Sequence, residues 1–311
     1  MAKRNDSVSG IVRTIGKVAG LMAQNLPLPR GRDRLAMIAA SCGAAPDQID
    51  IVRTRSGRQL HIDPDVFFYR HAYFTGAYEP GIARLIGALL RRGQVCVDIG
   101  ANIGWHTIAM ADHVGPYGKV HAFEPFPPTF ALLARNIALN RLEGCIQANH
   151  AAVADRAGTS TMHLAAGEPA THASLAVGKN GGITVQTVAL DQYENGALVG
   201  GVDMMKIDVE GAEERVLKSA QAILSGNSPP SLIIEAAVAT SQPFGYGPND
   251  LLDRLDRANS FRHFIIDERT GQLTEFKRFE TGHPGANILC APHARPELLD
   301  TLRKLKLLRF S

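Results

Sequence analysis

Between residues 93 and 293 the chain alternates short apolar runs with longer segments whose apolar residues recur at helical spacing. The apolar runs predict strands at 95–97, 119–123, 146–153, 204–207 and 232–234. Helical patterns predict helices at 105–113, 127–140 and 212–224 between them. Alternation of this kind builds right-handed crossovers and a parallel sheet with helices on both faces. The predicted fold class is therefore α/β.

Segments on either side of this core follow other patterns. Alternating apolar and polar residues at 159–164 and 183–188 predict an antiparallel arm. A hairpin is expected around Gly57 and a helix at 80–90, and after residue 250 a helix, two strands and a basic tail helix are expected. The predicted organisation is an N-terminal helical extension at 1–48, a main domain at 49–293 and a helical tail at 294–311.

The N-terminal extension carries apolar residues at helical spacing, with Arg13 and Lys17 on the other side, until Pro27 ends the pattern. One interpretation is a basic amphipathic helix in which residues 8–24 make a peripheral contact with a membrane or a partner. The other is a helix that packs on the body of the protein or frays. The pattern alone leaves both open.

Composition narrows the functional classes. The chain has 311 residues, 45% of them hydrophobic and 20% charged, which is typical of a folded globular protein. Its net charge of +3 does not indicate nucleic acid as the principal partner. The four cysteines lack metal-ligand spacing, so reduced and mostly buried thiols are expected. No apolar stretch long enough for a membrane span and no leader pattern occur, which favours a cytoplasmic location.

The turn after the first strand has the composition of a ligand-binding loop. Asp98 lies near the end of the strand, and Gly100, Asn102 and Gly104 lead into the next helix. Asn102 replaces the middle glycine of the dinucleotide fingerprint, and an acidic loop suits a ligand with ammonium and sulfonium charges. Glu124 follows the next strand, where a carboxylate can accept hydrogen bonds from both hydroxyls of a ribose. S-adenosylmethionine fits these features, whereas the alternative is that Asp98 caps a helix and Glu124 is a solvated acid.

Three motifs resemble those of the FkbM family of class I S-adenosylmethionine-dependent methyltransferases. They begin at Asp98, Phe123 and Lys206, and read Asp-x-Gly-Ala-Asn-Ile-Gly, Phe-Glu-Pro and Lys-Ile-Asp-Val-Glu-Gly-Ala-Glu. The resemblance implies a Rossmann-like, seven-stranded, mostly parallel sheet whose last hairpin is antiparallel. It also implies O-methylation of a glycan or small-molecule acceptor. By the family pattern, Asp98, Gly100 and Asn102 would contact the methionine end of the cofactor. Glu124 would contact its ribose, and Ala151 and Ala152 would lie near its adenine.

Candidates for the acceptor side follow the fourth strand and its neighbours. Asp208, next to the cofactor site, is expected to contact the cofactor and is a candidate for the base that removes the acceptor proton. Glu210 is the other candidate, provided the backbone stays extended so that it points the same way. Asp208 and Glu235 end adjacent strands and would accept a divalent cation, although no metal is firmly expected. The structural alternative is that Asp208 caps a helix and that Lys206 pairs with a neighbouring acid such as Glu235.

Four further residues complete the predicted site. His106 lies in the first turn of the helix after the loop, where it would reach the acceptor or face solvent. Tyr78 and Glu79 resemble a recurrent family segment and would form a lid over the methionine moiety or a helix-entry turn. Ser174, in the long polar segment between the arm strands, is expected to contribute to the acceptor pocket.

The predicted function is methyl transfer from S-adenosylmethionine to a hydroxyl. An NAD-dependent oxidoreductase is disfavoured by the absent middle glycine and the acidic loop. A non-catalytic, methyltransferase-like subunit tethered by its N-terminal helix is a third hypothesis, because the sequence specifies the cofactor side in more detail than the acceptor side.

Overall fold

A computed structural model of the chain describes residues 2–25, 31–42, 44, 49–63, 67–163 and 182–309. The chain forms two compact units, residues 1–78 and residues 79–311. The sequence placed domain boundaries after residue 48 and after residue 293. These two boundaries stay predictions, and the division into compact units falls after residue 78.

In the residues that the structure describes, the first unit has three helices and a two-stranded hairpin. They are α1 Ala2–Asn25, α2 Arg32–Ser41, β1 Asp50–Arg53, β2 Gln59–Ile62 and α3 Phe67–Thr75. The predicted hairpin is confirmed, with antiparallel pairing from Asp50↔Ile62 to Arg53↔Gln59. The Tyr73 hydroxyl on α3 donates to Asp50 Oδ2 at 3.0 Å. Because the hairpin is bonded to α3, it belongs to the N-terminal unit, and the boundary falls after residue 78.

Small residues of α1 form its packing face. Gly16, Ala19, Gly20 and Ala23 are buried, spaced three or four residues apart along one side of the helix. A Cβ added to Gly16 would lie 2.5 Å from Cβ of Cys42, and one added to Gly20 would lie 2.5 Å from the Phe74 ring. Close approach through small side chains therefore holds α1 against α2 and α3.

The second unit alternates strands and helices as predicted. Its helices are α4 Pro80–Leu89, α5 Trp105–Val114, α6 Pro127–Leu139, α7 Glu213–Ser219, α8 Gln221–Ser225, α9 Val238–Ser241, α10 Pro248–Ala258 and α11 Pro296–Lys304. Its strands are β3 Val95–Ile99, β4 Lys119–Phe123, β5 Ile146–Asn149, β6 Ala152–Val153, β7 Gly158–Met162, β8 Ile183–Val188, β9 Met204–Ile207, β10 Ser231–Ala237, β11 Phe261–Ile266, β12 Leu273–Phe276, β13 Gly285–Pro292 and β14 Leu308–Arg309. Short 3-10 helices occupy Leu190–Gly196 and Gln242–Phe244.

The central sheet has nine strands in the order β14-β12-β11-β13-β10-β9-β3-β4-β5. Neighbours from β5 to β10 are parallel, and β13 runs antiparallel between β10 and β11. The predicted α/β, Rossmann-like fold with an antiparallel last hairpin is therefore confirmed. The sheet is wider than the seven strands expected, because β12 and β14 extend it beyond β11.

The C-terminal tail is part of this sheet rather than an appendage. After α11 the chain turns back, and β14 pairs with β12 in parallel through Leu273↔Leu308. Leu302 and Leu307 are completely buried. The described tail residues therefore pack as part of the second unit.

The third predicted strand, 146–153, is split in the structure. β5 ends at Asn149, and β6 belongs to a separate three-stranded sheet in the order β6-β8-β7. The antiparallel arm predicted from alternation is present as the pair β7 and β8. Ser174 lies between these strands, outside the described residues.

Apolar side chains of the central strands form the core of the second unit. Ile99, Phe123, Ile207 and Ile234, from four neighbouring strands, are at most 1% exposed. Cys96, Cys145 and Cys290 are buried free thiols, as predicted. Within the described residues, every helix is too short or too polar to cross a bilayer.

Candidate active site

The turn after β3 is shaped by contact with the neighbouring strand. Gly100 has φ +79°, and a Cβ there would lie 1.8 Å from the carbonyl oxygen of Asp208. The Asp208 amide donates to the Ile99 carbonyl at 3.0 Å. This hydrogen bond holds the end of β3 against the segment that follows β9. Gly104 has φ +91°, and its Cβ would meet Leu133 at 2.7 Å. Sequence reasoning assigned both glycines to ligand approach, whereas the structure shows that protein packing itself requires them.

Asp98 is buried beside this turn. Its Oδ2 accepts a hydrogen bond from the Thr107 hydroxyl in the first turn of α5. Its Oδ1 is buried and has no hydrogen-bond partner among the described residues. Because α5 is preceded by Gly104 without a side-chain cap, the capping interpretation of Asp98 is wrong. A buried carboxylate oxygen without a donor indicates a place where a ligand donor fits.

Glu124 is held by backbone amides on both of its oxygens. Oε2 accepts from the Asn102 amide at 2.9 Å, and Oε1 accepts from the Phe126 amide at 2.8 Å. The side chain is buried, so the interpretation as a solvated acid is wrong. Burial raises the pKa of Glu124 to about 7, against the two amide bonds that favour the carboxylate. Each oxygen retains a further lone pair for a ligand hydroxyl.

The residues predicted to lie near adenine have apolar surroundings. Ala151 and Ala152 are both buried, and Ala152 belongs to a cluster with Phe126, Met162 and Val185. Phe126 follows Glu124 by two residues, so this cluster lies next to the bonded carboxylate in sequence and in structure. Sequence reasoning did not identify Phe126, although its position two residues after Glu124 was available as a signal. It also missed Thr107, which lies nine residues after Asp98 and meets it only through the fold.

Lys206 is the buried cation of the site. It lies on β9 directly beside Asp98 on β3, and its Nζ donates to Asp208 Oδ2 at 2.8 Å. The ion-pair interpretation is therefore correct, with Asp208 rather than Glu235 as the partner. Burial acts to lower the pKa of Lys206, but the carboxylates of Asp208, Asp98 and Glu79 outweigh it and raise the pKa.

Glu79 and His106 are brought together although they are 27 residues apart. His106 Nε2 lies 2.7 Å from Glu79 Oε2. His106 is 5% exposed, so the solvent-facing interpretation is wrong. Glu79 adopts φ +42° immediately before α4. Tyr78 belongs to the first unit, where its ring packs on Tyr69. The lid expected from Tyr78 and Glu79 stays a prediction.

The loop between β9 and α7 turns sharply instead of staying extended. Glu210 has φ +53° and Gly211 φ +100°, so the condition under which Glu210 was expected to point with Asp208 is not met. The helix begins at Glu213, and its N-cap residue Ala212 makes no side-chain cap. Asp208 therefore does not cap this helix, which corrects the alternative role considered for it.

Glu213 holds that loop in place. Its Oε1 accepts from the amides of Val209 and Gly211 at 3.2 and 3.1 Å. Its Oε2 lies 2.8 Å from the hydroxyl of Tyr246, which is 33 residues away. Burial raises the pKa of Glu213, while these hydrogen bonds act to lower it. Sequence reasoning missed Tyr246, because only the tertiary fold brings it to this loop.

Glu235 lies one residue beyond the last pair between β10 and β9, Ile234 with Ile207. It does not end β10 as predicted, because the strand continues to Ala237 through its pairing with β13. Burial raises the pKa of Glu235 to about 8. The carboxylates of Asp208, Glu210 and Glu213 also act to raise it, whereas the charge of Lys206 acts to lower it. Its Oε2 is buried without a partner among the described residues. Asp208 and Glu235 were the predicted ligands of a divalent cation. The part of the chain that the structure describes contains no group of three His, Cys, Asp or Glu placed to hold a metal ion.

Comparison with known proteins identifies relatives of this chain. The 31-O-demethyl-FK506 methyltransferase FkbM of Streptomyces tacrolimicus is 32% identical over 209 residues, which cover 56% of this chain and 77% of that protein. Methyltransferase sdnD of Sordaria araneosa is 29% identical over 212 residues, covering 58% and 77%. The hexuronic acid methyltransferase AglP of Haloferax volcanii is 29% identical over 143 residues, covering 45% and 55%.

The segment from Asp98 to the start of β11 defines the family. Residues 98–262, more than half of the chain, match the methyltransferase FkbM domain. This segment includes the turn at Gly100, Glu124 and the whole loop from Lys206 to Glu213. The chain therefore belongs to the FkbM family of methyltransferases.

Proposed function

We propose that the protein is an S-adenosylmethionine-dependent O-methyltransferase that acts on a hydroxyl of a glycan or small molecule. The observation that carries this proposal is the pair of buried carboxylates at the ends of β3 and β4. Asp98 has a buried oxygen without a described donor, and both oxygens of Glu124 keep lone pairs beside the same turn. Acidic groups in this arrangement suit a ligand that has a ribose and a cationic amino-acid end.

Each part of the cofactor has residues that fit it. Asp98 and the turn with Gly100, Asn102 and Gly104 would hold the methionine end, and Glu124 would accept hydrogen bonds from the ribose. Ala151, Ala152 and Phe126 would provide apolar surface for adenine. When bound, S-adenosylmethionine supplies a methyl carbon that its sulfonium already activates. The protein's own tasks are then to align the acceptor and to take up its proton.

Asp208 is our candidate for the group that takes up this proton. Its side chain is 32% exposed at the carboxyl end of the sheet, next to Gly100. His106 is buried with Nε2 on Glu79, and Glu210 lies in the sharp turn, so both fit the role less well. Lys206 donates a hydrogen bond to Asp208 Oδ2 at 2.8 Å, which fixes the position of the carboxylate.

The names of two relatives support an oxygen atom as the methyl acceptor. One relative acts on an O-demethyl compound, and another on a hexuronic acid, which is a sugar rich in hydroxyl groups. We extend to this chain only what they share, which is an oxygen-bearing organic acceptor.

Cofactor binding is the first test. In isothermal titration with S-adenosylmethionine and S-adenosylhomocysteine, Asp98→Asn and Glu124→Gln should each weaken binding about 10- to 100-fold, as loss of a hydrogen bond to a charged group does. Matched controls are Asp253→Asn and Glu275→Gln, whose exposed carboxylates pair with Arg278 and Arg262. These controls should bind like the wild type. No binding by folded wild-type protein would refute the proposal.

Methyl transfer is the second test. Cofactor with a labelled methyl group should label hydroxyl-bearing acceptors in a carbohydrate and metabolite extract. Asp208→Asn should slow transfer about 100-fold, as loss of a general base does. Cofactor binding without transfer to any fraction would favour the non-catalytic subunit, and binding of a nicotinamide dinucleotide instead would favour the oxidoreductase.

The pH dependence of binding should identify Glu124. Its pKa of about 7 means that the carboxyl is protonated below this pH in the free protein, and a protonated carboxyl accepts hydrogen bonds less well. If the ribose binds the ionised form, affinity should fall as pH falls below 7, by up to about tenfold per pH unit. Glu124→Gln should remove this dependence. Glu235→Gln is the control that should retain it, although Glu235 itself has a pKa near 8.

A further inference from the structure

Among the α1 side chains that the structure describes, the bulky apolar ones are exposed, whereas Ala19 and Ala23 are buried. Ile15 is 54% exposed, Val18 53% and Leu21 60%, and Val12 and Met22 are also exposed. Ile15, Val18 and Met22 recur at spacings of three and four, so they lie on one side of the helix. We call the set Ile15, Val18, Leu21 and Met22 the α1 apolar face. A helix that only packed on its own unit would turn these side chains inward, so their exposure calls for an external apolar partner.

Basic side chains border this face. Arg13 and Lys17 are exposed on the same turns of α1, four residues apart. Because one turn of a helix spans 3.6 residues, these two side chains lie on a common side, next to Leu21. An exposed apolar face with a basic border is typical of a helix that lies in a lipid–water interface.

The positive charge of the chain is concentrated in its N-terminal segment. Residues 1–34 contain seven Lys or Arg and two Asp, which gives a net charge of +5. The remaining 277 residues contain 26 basic and 28 acidic residues, which gives −2, so the overall +3 conceals a local excess. The partner that matches this segment is negatively charged as well as apolar.

We propose that the α1 apolar face docks on an anionic lipid surface, with Arg13 and Lys17 at the level of the lipid headgroups. A lipid surface supplies the two properties together, since hydrocarbon accepts the bulky side chains and acidic headgroups attract the basic ones. A second copy of the chain would bring the same positive segment to the contact, where like charges repel.

The experiment is sedimentation of the full-length protein with vesicles. Vesicles of phosphatidylcholine with 30% phosphatidylglycerol should bind at least tenfold more protein than pure phosphatidylcholine vesicles at low salt. Raising the salt concentration should weaken that binding, because it screens the headgroup attraction. Ile15→Gln with Val18→Gln, and separately Arg13→Gln with Lys17→Gln, should each reduce binding about tenfold or more.

A matched control is Val199→Gln, which changes a valine of similar exposure, 44%, in the second unit. It should leave vesicle binding unchanged. All the replaced side chains are exposed, so circular dichroism should report wild-type folding for every variant. Absence of vesicle binding, or equal binding to both vesicle types, would overturn the proposal. So would a wild-type oligomer that Ile15→Gln with Val18→Gln converts to a monomer, because the face would then serve self-association.

Discussion

Replacing Lys206 with methionine should lower the free energy of unfolding by about 3–5 kcal/mol, the usual cost of removing one partner from a buried ion pair. Lys206 is 3% exposed, and its Nζ is 2.8 Å from Asp208 Oδ2. Asp98 lies beside it on β3, and the charge of Glu79 also acts on it. Without the ammonium group, these carboxylates would remain close together without compensation.

Denaturant unfolding of the wild type and Lys206→Met measures this difference. The matched control is Lys218→Met, because Lys218 pairs with Glu214 at the same 2.8 Å but its side chain is 43% exposed. That change should cost no more than about 1 kcal/mol. Adding Asp208→Asn to Lys206→Met should restore part of the lost stability, since it removes one of the uncompensated charges. A loss below 1 kcal/mol in Lys206→Met would contradict our account of the cluster.

The second large effect is expected at Gly100, where alanine should destabilise the protein by about 2–5 kcal/mol. A left-handed conformation costs a residue with a Cβ about 1–2 kcal/mol, and a contact that forces the backbone apart adds about 1–3 kcal/mol. Gly100 has φ +79°, and the new Cβ would lie 1.8 Å from the Asp208 carbonyl oxygen. Because that oxygen belongs to the backbone, it cannot move aside as a side chain would.

Gly93 separates the two contributions. It has φ +83°, and nothing lies within 4 Å of a Cβ built there. Gly93→Ala should therefore show the conformational cost alone, about 1–2 kcal/mol, in thermal or denaturant unfolding. Equal losses for Gly93→Ala and Gly100→Ala would show that the close approach to Asp208 is not important.

The central part of the fold could be predicted because local sequence patterns specify it. Strands with buried apolar residues and helices with regular apolar spacing alternate from residue 95 onward, and each pattern has one consistent structural solution. Asp98 and Glu124 were identifiable for the same reason, since each lies at or just beyond the end of an apolar strand. At both positions the structure adds a reason to the prediction, namely burial with specific hydrogen bonds.

Contacts between distant segments were not predictable in this way. The pairs Glu79 with His106 and Glu213 with Tyr246 join residues that are 27 and 33 positions apart, and no local pattern connects them. The prediction of an extended backbone at Glu210 was wrong, because a positive φ at a non-glycine residue is imposed by the surrounding fold. In α1, periodicity identified the helix, but it did not show that the small residues would be the buried ones.

The position of β14 has a consequence for the behaviour of shortened chains. β14 covers the free edge of β12 with only two paired residues. A chain that lacked Leu308 and Arg309 would present β12 as an unpaired edge, which is the feature that lets sheets of different molecules join. Such truncation would therefore promote aggregation, even though it removes no residue of the candidate active site.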